Sequence, residues 1–183
     1  EGDAVSLTFG MEISLTRWPD SGSVSVDMGP LTYSVRIREE YRVPEDALAY
    51  NHPEPHLWEN YEILPASPWN YGLVLEGGEV GGSIAVSEVA EALPSQPFDE
   101  QSAPVVLRAR ARRIPQWQIQ DSCAAELRQS PVFSKEPEEI IEMIPLGCAR
   151  LRMACLPVVT DDPSAPEWKA VPAHIPPEER PQG

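Results

Sequence analysis

The chain reads as an all-β domain, an antiparallel β-sandwich of jelly-roll type with long proline-rich connections. Three observations predict this. Apolar and polar residues alternate in short runs, the period of a half-buried strand. Proline fills 21 of 183 positions, against a usual share of roughly 5%, so the connections are rigid and irregular. Helix formers never run long without interruption, which leaves strands as the elements available to build a core. A hydrophobic content of 42% is enough for that core, and the length suits one domain with an appendage.

The elements follow in order. Val5, Leu7, Phe9, Met11, Ile13 and Leu15 alternate with polar or small residues, which predicts one long strand or two meeting at Gly10. Trp18 to Gly22 has turn composition, and a second alternation runs through Val24, Val26 and Met28. Parity then flips at Gly29-Pro30, giving Leu31, Tyr33, Val35 and Ile37, the mark of a bulge or sharp bend. Residues 39–60 lose periodicity and form a long connection.

Residues 60–73, Asn-Tyr-Glu-Ile-Leu-Pro-Ala-Ser-Pro-Trp-Asn-Tyr-Gly-Leu, form the segment around which the rest is organised. Pro65 and Pro68 fix φ and withhold donors, so rigid chain leads into a strand carrying Tyr71, Leu73 and Leu75. In that strand Trp69 and Tyr71 share a face and Asn70 takes the other. Paired glycines at 77–78 and 81–82 predict a turn, with 71–76 and 83–87 as a hairpin. Ser87 to Leu93 are compatible with one short helical turn.

Val105 to Arg112 is a further strand whose Arg108, Arg110 and Arg112 share one face. In so acidic a chain they are expected to pair with acidic neighbours on adjacent strands. Residues 114–119 read as an edge piece, 121–137 as polar connection and 138–145 as a strand. Leu151, Met153 and Cys155 mark a last strand. The sandwich therefore takes residues 1–159, and residues 160–183 form a proline- and acid-rich tail that orders only by docking on the body.

Net charge is −15 and the isoelectric point near 4.5. That disfavours nucleic acid, whose phosphates need a basic face, and anionic membrane surfaces. Neutral ligands such as sugars remain open. No apolar run approaches the ~20 residues needed to span a bilayer. The start at Glu1, without Met or a signal-like segment, suggests an excised module, and no compartment is indicated. Cys123, Cys148 and Cys155 lack C-x-x-C spacing and are expected as buried thiols without a zinc or disulfide role.

His52, Glu54, His56 and Glu59 make one candidate metal cluster. Pro53 and Pro55 forbid the helix that would put both imidazoles on one face, so the set reads as an exposed polar loop and no cofactor is expected. Glu59 and Glu62 flank the aromatic segment, yet nothing distinguishes them from solvated surface charge. The nucleophile elbow Gly-x-Ser-x-Gly and phosphate-cradling glycine loops are absent from the sequence. Trp58, Trp69, Asn70 and Tyr71 remain as candidate carbohydrate contacts, because aromatic rings stack on sugar faces and an amide fixes hydroxyls. The competing expectation is that Trp69 and Tyr71 pack in the core or on a neighbouring body. Trp18 and Trp117 are expected first as packing residues.

Four stretches carry a family resemblance. They are Gly29-Pro30-Leu31-Thr32-Tyr33-Ser34, residues 61–73 (Tyr-Glu-Ile-Leu-Pro-Ala-Ser-Pro-Trp-Asn-Tyr-Gly-Leu), residues 111–117 (Ala-Arg-Arg-Ile-Pro-Gln-Trp) and residues 144–152 (Ile-Pro-Leu-Gly-Cys-Ala-Arg-Leu-Arg). In this order they resemble the C-terminal β-sandwich region of the β-L-arabinofuranosidase-like glycoside hydrolases, the DUF1680-type family, over roughly residues 5–158. The resemblance implies a module that follows an (α/α)6 barrel, and that barrel carries the family's catalytic cysteine, acidic residues and zinc site. No stretch of this chain resembles it, so no catalytic residue carries over, and the three cysteines here lie in sandwich segments. The expectation is an accessory module without turnover of its own, partnered by a catalytic barrel. Carbohydrate binding near Trp69 is the alternative, and self-association through a sandwich face or edge a third.

Overall fold

A computed structural model describes residues 2–43, 61–93, 95–120, 122–127 and 129–169. Their regular secondary structure is β apart from one 3-10 turn at Leu146–Cys148, in accord with the all-β sandwich-like class. The main sheet is antiparallel and curls into a half-barrel. Its path starts with β1 (Ile13–Arg17), β2 (Val24–Met28) and β3 (Leu31–Val35), a meander whose second turn is tight. Met28 pairs with Leu31 across Gly29-Pro30, and Gly29 sits at φ +57°, which glycine reaches without steric cost. The parity flip is thus a hairpin turn.

Three two-stranded pairs and the other four strands of the main sheet follow. β4 (Glu39–Arg42) and β5 (Glu62–Pro65) pair only with each other. β6 (Tyr71–Leu73) and β7 (Ile84–Val89) both pair with β8 (Val105–Arg113), β6 against its end and β7 against its start. The hairpin expected between 71–76 and 83–87 does not form: the turn between them carries an isolated Glu76–Glu79 bridge, and β8 takes both strands as partners. β9 (Ile119–Gln120) and β10 (Cys123–Ala124) make a small ribbon. β11 (Val132–Phe133) runs parallel to β13 (Val159–Thr160). β12 (Glu138–Pro145) lies between β3 and β8 in the main sheet.

Period two places Val26, Tyr33, Val35, Met143, Ile141, Leu107, Ala109 and Leu73 on the concave face, and all are buried. The opposite face of β8 and β12 carries the charges. Arg110 bonds Glu138 at 2.5 Å and also pairs with Glu76, and Arg112 reaches Asp161 at 3.2 Å. The arginine stripe is thus an ion-pair ladder across neighbouring elements. Such exposed pairs fix register more than they stabilise.

The expected last strand at 150–155 is instead an irregular strap that closes the curl. The Val35 N–H donates to Met153 O at 3.0 Å, Val24 and Leu156 exchange two bonds at 2.8 and 2.9 Å, and the Leu73 N–H donates to Pro157 O at 2.8 Å. Ser34, wholly buried, accepts from the Met153 N–H at 2.8 Å. Donors and acceptors of three strand ends are met by one crossing segment, so a strand ladder is unnecessary there. The tail docks as far as it is described: the Phe133 N–H donates to Pro166 O at 2.8 Å and Trp168 is buried.

The first alternation is the largest departure. Only Ile13–Arg17 pairs, and Val5, Leu7 and Phe9 stand 93, 75 and 73% exposed. The β2–β3 hairpin ends at Gly29-Pro30, so β1 has no intramolecular neighbour beyond Ile13 to continue its pairing.

Candidate functional site

The aromatic segment builds a corner where β5 leaves its ribbon and β6 enters the main sheet. Asn70 is buried at 6% exposure and its hydrogen-bonding capacity is turned inward. Its Nδ2 donates to Ile114 O and Trp117 O, both at 3.0 Å, and its Oδ1 accepts from Arg113 Nε at 3.0 Å. The Ile114 N–H donates back to Asn70 O at 2.8 Å. One amide therefore clamps the turn after β8, a role that needs both donor and acceptor groups.

Three tryptophans stack behind it. The Trp69 and Trp117 rings meet edge to face at 5.3 Å, and Trp117 lies against Trp168 at 5.1 Å, separations typical of favourable aromatic pairs. Trp117 is 1% exposed and its indole N–H donates to Ala125 O at 2.8 Å. Ile114, Val132 and Val159 complete this second core. Gly72, next to Tyr71, has no room for a side chain, since a Cβ there would collide with Val159.

Tyr71 is also buried, but on the concave side. Its hydroxyl donates to Glu139 at 3.2 Å and Arg113 lies over its ring at 5.5 Å. Burial, then the nearby Glu139 carboxylate, pushes its phenol pKa above the ordinary range, so it stays a neutral donor. Tyr71 and Trp69 do not share a strand face, because β6 begins at Tyr71.

Of the predicted contacts in the described chain, Trp69 lines both neighbouring clefts and Asn70 one of them. Trp69 is half-buried and stands between the two. The larger, of about 740 Å³, is lined by Leu64, Leu151 and Met153 together with Arg42, Arg150 and Arg152. The smaller, of about 470 Å³, has Pro68, Asn70, Trp117 and Gln118 on its walls. In the larger cleft Arg42 is paired with Glu62 at 2.8 Å and Arg150 with Glu39 at 3.4 Å. Glu62 is the one carboxylate among its described lining residues, whereas glycoside hydrolysis needs two, roughly 5–9.5 Å apart. An aromatic edge, an apolar wall and guanidinium donors suit holding a ring.

Trp58 lies outside the described residues, as do His52, Glu54, His56 and Glu59. Among the described residues no three His, Cys, Asp or Glu groups lie close enough to hold a metal ion, and no helix is long and apolar enough to cross a membrane. Cys148 is buried and Cys155 partly so, with burial the main cause raising both thiol pKa values; Cys123 departs from expectation in being exposed, because its ribbon lies on the rim of the Trp69 cleft. Trp18 is also half-exposed, holding its turn through an indole bond to Ser25 at 3.0 Å.

Sequence reasoning missed Trp168 and Arg113. A lone tryptophan in a proline- and acid-rich tail was the available signal, since such a ring has no reason to stay in water. Arg113 carries no local signal, because its role depends on Asn70 and Tyr71 arriving from forty residues away. No family model, curated protein or solved structure matches this chain.

Proposed function

We propose that this chain is a non-catalytic accessory β-sandwich module of a β-L-arabinofuranosidase-like glycoside hydrolase, packing on or completing a catalytic (α/α)6 barrel supplied from outside these residues. Asn70 is the observation that carries this reading. The aromatic segment, the most ligand-like stretch of the sequence, spends its amide on three internal bonds and stacks its tryptophan on a buried partner, so it builds a rigid corner. The order of the four family-like stretches supports the same assignment. The test is turnover. The isolated chain should release no arabinose from arabinofuranosides, and the same chain joined to an upstream helical barrel should be required for that barrel's solubility or activity. Arabinose release by the isolated chain, abolished by a point change within it, overturns the reading.

A second reading rests on Trp69, whose exposed part lines a cleft of about 740 Å³. There the module would bind a neutral glycan by stacking. Titration with plant-type arabinans, followed by tryptophan fluorescence, decides it: no change at millimolar sugar rejects binding.

A further inference from the structure

The open edge of β1 and the exposed arm before it are complementary to each other, and in this structure they do not pair within the molecule. β1 is the end strand of the main sheet, paired on one side only. Ile13 and Leu15, on its concave face, are half-buried against the core and leave that rim of the core unfinished. Immediately upstream, Val5, Leu7, Phe9 and Met11 stand 93, 75, 73 and 48% exposed. Residues 4–11 carry no charge in a chain of net −15, so this is the stretch least opposed by self-repulsion. An unpaired, uncharged, alternating strand is an association surface unless covered.

We propose that two copies of this chain exchange their arms, each arm adding to the other's β1 edge in antiparallel register about a two-fold axis at Gly10. The sequence selects that register. With Gly10 facing Gly10, Phe9 meets Met11, Leu7 meets Ile13 and Val5 meets Leu15, so every apolar residue of the arm faces an apolar residue of the partner. On the same face Asp3 falls opposite Arg17, an opposite-charge pair at each end of the ribbon. On the other face Ser6 meets Ser14 and Thr8 meets Glu12, which keeps that side polar. A shift of two residues moves the axis to Phe9 or Met11 and removes the Asp3–Arg17 pair. The contact is isologous and closes at two copies. It extends the sheet across the dimer and completes the rim beside Ile13 and Leu15. This surface is independent of the accessory-module reading.

Sedimentation equilibrium of the full chain over a wide concentration range should show monomers and dimers in mass-action balance. Leu7→Asp puts a carboxylate opposite Ile13 at both ends and should weaken the dimer at least tenfold, with an unchanged far-UV circular dichroism spectrum because Leu7 makes no core contact. Gly10→Cys in a Cys123→Ser background reports the register. A Cβ at Gly10 meets nothing within 4 Å, and facing strand positions lie within disulfide reach. Oxidised glutathione should therefore link that variant into a dimer, whereas Ser6→Cys, facing Ser14, should stay monomeric on a denaturing gel. A chain that remains monomeric at about 100 µM, a dimer indifferent to Leu7→Asp, or equal cross-linking from positions 6 and 10 overturns the proposal.

Discussion

Replacing Asn70 by alanine tests the aromatic corner at its most connected atom set. The change removes two donors from the buried carbonyls of Ile114 and Trp117 and the acceptor from Arg113. A net hydrogen bond is worth about 1 kcal/mol, and a buried group left without a partner costs about 1–3 kcal/mol. The two carbonyls sit beside residues that are 1% exposed, where water cannot replace the amide without opening the turn. Arg113 is half-exposed and recovers water, so it adds little. The sum is about 3 kcal/mol, or a fall in Tm of roughly 6–12 °C for a domain of this size. Urea unfolding followed by tryptophan fluorescence measures it directly. Asn70→Asp should do no better: it keeps the acceptor for Arg113 but turns a carboxylate oxygen toward two carbonyls. Either variant within about 0.5 kcal/mol of the parent would refute the clamp, since that is the range of surface changes.

Two further predictions concern packing and charge. Gly72→Ala forces a methyl into Val159 and should cost about 1–3 kcal/mol by overpacking; calorimetry showing an unchanged Tm would contradict the tight approach of β6 to the closing strap. The Glu138 carboxyl is held below its ordinary pKa, first by the hydrogen bond from Arg110. A depressed folded-state pKa means stability that is present above the ordinary carboxylate range and lost as pH falls through the folded value. Glu138→Gln should therefore be less stable than the parent at pH 7, and the gap should shrink steadily below about pH 4. A gap that widens in acid would reverse the assigned sign.

The strands were legible where burial on one face enforced a period of two. β2, β3 and β8 appear where the alternation put them, β12 where apolar character did, and the arginine stripe found the acidic partners its surroundings implied. The same signal misled at Val5 to Met11. An alternating run states that a strand has one apolar face, and the partner that would bury it need not lie in the same chain. Pairing was less legible than strand position: β6 and β7 both read as hairpin material, but β8 is long enough to take both along one edge. The closing strap was invisible as such because it satisfies its backbone through Val24, Val35 and Leu73, residues from three other elements. At the site, irregular chain between β5 and a strand beginning near Tyr71 could be read from Pro65 and Pro68. Which way the Asn70 amide's bonds ran could not, since Ile114 and Trp117 are distant in sequence.

Trp69 separates the two roles open to the corner. Its indole is half-buried against Trp117 at 5.3 Å, so Trp69→Ala should forfeit part of the 3–5 kcal/mol of a fully buried tryptophan, plus an aromatic pair term of about 0.5–1.5 kcal/mol. The expected loss is about 2–3 kcal/mol. Urea titration of that single variant, run with and without millimolar arabinan, is the most direct measurement. A packed corner in an accessory module predicts the lowered midpoint, with no shift on adding sugar in either protein. A variant that unfolds with the parent's midpoint, while only the parent is stabilised by arabinan, would contradict it.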